Sequence, residues 1–166
     1  MRCSGSAHRQ TGWLKSTRGT RRHQIIAGAI VDRLMTRANL VIKLLRLLTW
    51  CCVVLLAVLS LLPAQAIART GLPGQFEHFI AYAGSAAIAM AGYGLSRGGM
   101  RIIGGFWAYA GVLEYLQHFS PGRHPSLEDF AASALGALCG GLAIALVWRR
   151  FATAARLAVE HASRRH

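Results

Sequence analysis

From Leu47 to Leu62 the chain carries no charged residue, with Lys43 and Arg46 just before the run and Pro63 just after it. A run so apolar belongs either in a large protein core or in a bilayer, and 166 residues supply only one ordinary domain. Similar segments recur at about Phe79 to Leu95, Ile102 to Phe119 and Phe130 to Trp148, and the first begins at about Leu40. Each is near the ~20 residues with which a helix crosses ~30 Å of hydrocarbon. Backbone polar groups cannot stay unpaired in lipid, so the spacing predicts four helices. The expected fold is all-α, an integral membrane bundle of four transmembrane helices over residues 39–149. A composition of 54% hydrophobic and 15% charged residues is in keeping with it.

A net charge of +13 raises the question of nucleic acid, and the placement of the charge answers it. Ten of the nineteen Lys and Arg precede Leu47, Arg97 and Arg101 sit between the middle segments, and Arg149, Arg150, Arg156, Arg164 and Arg165 follow the last. Only Arg69 and Arg123 remain for the other two loops. By the positive-inside rule both termini and the central loop face the cytoplasm, as in an inner-membrane protein of several passes, and the loops of Arg69 and Arg123 face outward. No basic face interleaved with aromatics accompanies the charge, so nucleic acid is not an expected partner. The expected partners are the lipid bilayer and an anionic lipid or envelope precursor.

Residues 1–38 are basic and rich in Gly, Ser and Thr. Their apolar run Ile25–Val31 is too short to span, so the arm reads as disordered or only partly helical. Either it is a polybasic arm on anionic lipid, or translation starts at Met35, which leads directly into the first segment. Residues 150–166 read as a basic cytoplasmic tail. Ala64-Gln65-Ala66 also resembles a signal-peptide cleavage site, which would leave three spans and a chain beginning near Ile67. Cys51 and Cys52 are adjacent, Cys139 lies in another apolar run and Cys3 in the arm, so no disulfide framework or metal pair follows.

Small residues recur at packing distance: Ala81, Ser85 and Ala89, then Gly104, Ala108 and Gly111, then Gly136 and Gly140. They let helix backbones approach closely, within the chain or between copies.

Of six acidic residues, Glu77, Glu114, Glu128 and Asp129 fall at the outward ends of apolar segments. Polar groups so placed are costly and rarely idle. Glu114, Gln117 and His118 share roughly a 100° arc on a helix and address one neighbour. Pro121-Gly122 makes a turn that brings Arg123 back. Asp129 starts the fourth segment, where a carboxylate can cap the helix. His78, His118 and His124 show no HExxH or similar spacing, so neither a metal site nor a cofactor is expected.

Taken in order, Phe76-Glu-His-Phe-Ile-Ala-Tyr82, Leu113-Glu-Tyr-Leu-Gln117, Ser120-Pro-Gly-Arg123, Ser126-Leu-Glu-Asp129 and Gly136 resemble the VanZ-like membrane protein family, over about residues 40–148. The resemblance implies a four-helix membrane protein, in a family named for a protein associated with teicoplanin resistance. It puts Glu77, His78, Tyr82, Glu114, Gln117, Arg123 and Asp129 at the family's polar motif positions. Two positions depart from the pattern: Gly74-Gln75 stands where Asp-Lys often occurs, and Ser133 where Asn is usual.

The leading functional expectation is recognition of an envelope glycan, lipid headgroup or glycopeptide at the outer face. Arg123 would engage phosphate or carboxylate there, and Glu114, Gln117 and His78 would shape the pocket. The alternative is a membrane-embedded hydrolase or transferase on a lipid-linked substrate, with Glu114 or His78 as general base. A third class is structural, with Arg123 paired to Asp129 or Glu114 as a lock.

Overall fold

The computed structural model describes the backbone of residues 10–66, 71, 73–94 and 98–164, and the side chains of these except 10–27, 64 and 159. Cys3, Ile67, Arg69, Arg97 and Arg165 lie outside the described residues. Among the described residues all regular structure is helical. The helices are α1 (Gln10–Leu61), α2 (Gly74–Tyr93), α3 (Gly99–Leu116) and α4 (Leu127–Ser163), with 3-10 turns at Ala64–Ala66 and Gln117–Phe119. Two stretches are long and apolar enough to cross a membrane: Gly28–Leu61 within α1, and α4. α2 and α3 fall below that mark because glycine, alanine, tyrosine and a few charged groups dilute their apolar residues.

The chain divides into two compact units, Met1–Val41 and Ile42–His166. In the first, helix begins at Gln10, so of the two readings of the arm the backbone takes the helical one over residues 10–38. No proline occurs before Pro63. Once an apolar segment has nucleated a helix, extending it through such residues costs little. In the second unit, α-helix in the third apolar segment stops at Leu116 and tightens to 3-10 geometry over Gln117–Phe119, a little short of the expected end. Arg101 belongs to the first turn of α3 rather than to a loop, and the basic tail continues α4 as far as Ser163.

The centre of the second unit is the crossing of α2 and α4. A Cβ built on Gly140 would stand 2.0 Å from the Ala83 carbonyl oxygen, and one on Gly136 2.3 Å from that of Phe79. Only glycine lets these backbones touch, so this pair serves packing within the chain. Around the crossing lie Leu56, Tyr82, Ala86, Ala89, Phe106, Ala110, Leu113 and Ala137, with Tyr82 edge-on to Phe106 at 6.2 Å. Ser85 and Ala89 join this core, whereas Ala81, Gly104 and Ala108 are exposed. Buried hydroxyls are satisfied locally: Thr49 donates to Leu45 O and Ser85 to Ala81 O.

Ile42–Leu61 of α1 is tied to the other helices by polar contacts. The Tyr109 hydroxyl donates to Val53 O. At the far end of α2, Arg46 Nε donates to Gly92 O at 3.0 Å, and its guanidinium lies over the Tyr93 ring. Trp50 Nε1 donates to the Tyr93 hydroxyl. Gly92 admits the contact, since a Cβ there would meet Leu45 and Arg46 backbone at 3.2 Å. Leu44, Leu47, Leu48, Val54, Leu55, Val58 and Leu59 turn outward from the same stretch, an apolar exterior.

Candidate functional site

At the opposite end of the second unit the end of α1, the start of α2, the end of α3 and the start of α4 are joined by side-chain hydrogen bonds. The join begins with Pro63. A proline has no N–H, so it cannot donate to Leu59 O four residues back, and that carbonyl is orphaned at the helix end. Arg123 supplies the missing donor: its Nη2 reaches Leu59 O at 2.8 Å and its Nε reaches Leu62 O at 3.2 Å. Ser120 Oγ donates to Leu61 O at 3.0 Å. Both residues come from one tight turn, in which Arg123 N–H donates to Ser120 O and Gly122 has φ +72°. Proline at the second and glycine at the third position is the type II pattern. The cation thus meets the negative end of the α1 dipole.

The turn folds Arg123 back as the sequence suggests, but onto helix carbonyls instead of a carboxylate. Among the described residues the ion pair within 4 Å is Arg164–Glu160, in the exposed last turns of α4, so the expected Arg123–Asp129 or Arg123–Glu114 lock is not formed. Two of the three guanidinium nitrogens are committed to α1.

Glu114 and Ser126 make a second join. Ser126 caps α4: its Oγ accepts from Glu128 N at 3.2 Å. Its own N–H is taken by the Glu114 carboxylate from α3. In a capping box the residue at the third helical position takes that amide. That position is Asp129, and Glu114 takes its place from a neighbouring helix. Asp129 is therefore not the cap; its charge still suits the first turn of α4. Gln75 Nε2 bridges from α2 to Glu128 Oε2 at 3.1 Å.

The third join lies deeper. Ser133, 2% exposed, donates to Asp129 O at 2.8 Å, and its Oγ stands 3.2 Å from His78 Nδ1. A hydroxyl has one proton, so with that proton on Asp129 O the imidazole Nδ1 must be the donor. In the tautomer with its proton on Nδ1, the imidazole has its lone pair on Nε2, where it can accept from a hydroxyl or ammonium donor. Four residues on, Tyr82 is buried at 2% exposure, with its hydroxyl within electrostatic reach of Glu114 and Tyr109. Gln117, 3% exposed, closes the cluster.

Of the sequence-derived candidates, His78, Tyr82, Glu114, Gln117 and Asp129 thus lie on the walls of one end of the bundle, partly or fully buried. Glu77 is exposed in the first turn of α2. His118 is exposed, its Nδ1 against Tyr115 O and its ring tilted on Tyr115, and His124 is exposed as well. No three His, Cys, Asp or Glu side chains converge as metal ligands among the described residues. The sequence reading gives the serines no role of their own: Ser120 and Ser126 open two motifs of the resemblance and Ser133 departs from it, and of the three Ser126 is legible as a cap from its place three residues before Asp129 at a helix start. Comparison with family models, with curated proteins and with solved structures finds no match to this chain.

Proposed function

We propose that the chain is a multi-pass inner-membrane protein, related to the VanZ-like family, whose outward end recognises an envelope glycan, lipid headgroup or glycopeptide. Two helices of spanning length and an apolar α1 exterior support membrane insertion, because so large an uncovered apolar surface is costly in water. The packing of α2 and α3 against α4 supports counting them as two further passes. The Lys/Arg distribution then directs both termini to the cytoplasm and the Arg123 turn outward.

The observation that carries the recognition reading is the His78–Ser133–Asp129 chain. It ties the imidazole Nδ1 to Ser133 and, in the tautomer that donates there, makes Nε2 an acceptor, among apolar helices where an idle polar group would be a cost. Glu114 and Arg123 are largely spent on joining helix ends, so His78 is the first side chain expected to touch a ligand, and the remaining Arg123 nitrogen suits an anionic group on it. Mass spectrometry of lipids and glycans retained by detergent-purified protein tests this. His78→Asn keeps a donor toward Ser133 but removes the Nε2 acceptor, so it should lose the retained molecule while keeping wild-type thermal stability. Identical retention by wild type and His78→Asn would refute the assignment.

A further inference from the structure

We infer that Gly28–Val41, the part of α1 that leads into its apolar run, is an amphipathic basic stretch whose apolar face lies against the acyl boundary of an anionic leaflet. The inference rests on the membrane reading above and adds a lipid-charge requirement at a second place in the chain. By the 3.6-residue period, Ile30, Val31, Leu34, Met35, Ala38 and Val41 fall within roughly a 140° arc. Asp32, Arg33, Thr36, Arg37 and Asn39 occupy the other side, where Leu40 is the exception. The five large residues of the apolar arc are 53% to 61% exposed. An apolar face so exposed calls for an occupant.

Charge selects the occupant. Residues 10–46 hold eight lysines and arginines against one acid, Asp32. A cation close to an anionic leaflet gains about 1 kcal/mol. A second copy seated on the same face would instead bring two such basic flanks together at short range. The apolar face enters the acyl boundary while Arg33 and Arg37 reach headgroup phosphates along their aliphatic stems. Lys43 follows in the chain and extends the same pattern.

The test uses the full chain with its native cysteines replaced by alanine and single cysteines at Leu34, Val41, Thr36, Asn39 and Leu55, each carrying an environment-sensitive fluorophore. The labelled protein is reconstituted into vesicles of phosphatidylglycerol with phosphatidylcholine, or of phosphatidylcholine alone. Quenching by lipid-attached nitroxide is compared with quenching by aqueous iodide. Labels at Leu34 and Val41 should be several-fold more lipid-quenched than those at Thr36 and Asn39 in the anionic vesicles, and the contrast should fall in phosphatidylcholine alone or with Arg33→Gln and Arg37→Gln together. Equal iodide access at Leu34 and Asn39 in anionic vesicles, with Leu55 still lipid-quenched, would overturn this inference and leave the membrane reading standing. So would self-quenching between Leu34 labels on different copies, or a contrast indifferent to lipid charge. A Leu55 label open to iodide would overturn both.

Discussion

The crossing of α2 and α4 yields the sharpest quantitative expectation, for Gly140→Ala. The new methyl carbon would stand 2.0 Å from the Ala83 oxygen, 2.8 Å from its carbonyl carbon and 2.9 Å from its Cα. All three are backbone atoms, so no side chain can rotate away. Non-bonded heavy atoms rest at about 3.5–4.0 Å, so the helices must part by about 1 Å or more, and a gap of that size forfeits a quarter to a half of the dispersion well at each contact. Overpacking of this kind costs about 1–3 kcal/mol, and the rigidity of both partners puts Gly140→Ala near the top of that range. Gly136→Ala, with its closest approach at 2.3 Å, should cost somewhat less. The double change should cost less than the sum, because helices already parted admit the second methyl. Gly104→Ala and Gly105→Ala are the controls: a Cβ at either meets nothing within 4 Å, and alanine improves helix propensity by up to about 1 kcal/mol. The assay is reversible denaturation in mild detergent, followed by tryptophan fluorescence. A Gly140→Ala protein as stable as Gly104→Ala would refute the backbone-contact account.

Arg123→Ala should lower stability by about 1.5–3 kcal/mol through the loss of charged donors at the end of α1, with Arg123→Lys intermediate, as read by thermal unfolding. Combined with Asp129→Asn the effects should add, since the two residues form no ion pair; a double variant better than the sum would restore the lock between them. Tyr109→Phe should cost about 1 kcal/mol and raise amide exchange near Val53 and Ala57, where the hydroxyl meets the α1 backbone. Reporters fused after Gly99 or Arg150 should read as cytoplasmic and one inserted near Gly71 as external; an external central loop would sink the four-pass topology.

Local chemistry is legible in the amino-acid sequence itself. The apolar segments mark the helices because each is long enough to close its own backbone hydrogen bonds. Pro63 ends α1, Pro121-Gly122 sets a type II turn, and a serine before the Glu128–Asp129 pair caps α4; each effect acts within about four residues of its cause. The extent of α1 is not legible in the same way, because composition reports what a segment can do in isolation, whereas helix in residues 10–38 is continuous with the apolar run that follows. What stays hidden is long-range. A glycine on a helix does not reveal which way it faces, so Gly136 and Gly140 are told from Gly104 only by the way α4 lies against α2. Arg123 and Leu59 are 64 residues apart, and His78 and Ser133 are 55 apart. Charge pairing inferred from proximity in sequence favours Asp129 for Arg123. The orphaned carbonyls at the end of α1 win instead, because they are acceptors at the negative end of the helix dipole and the turn brings Arg123 to them. The sequence therefore determined where the apolar helices lie and which local residues stop or cap them, and the tertiary structure decided which distant polar groups serve those ends.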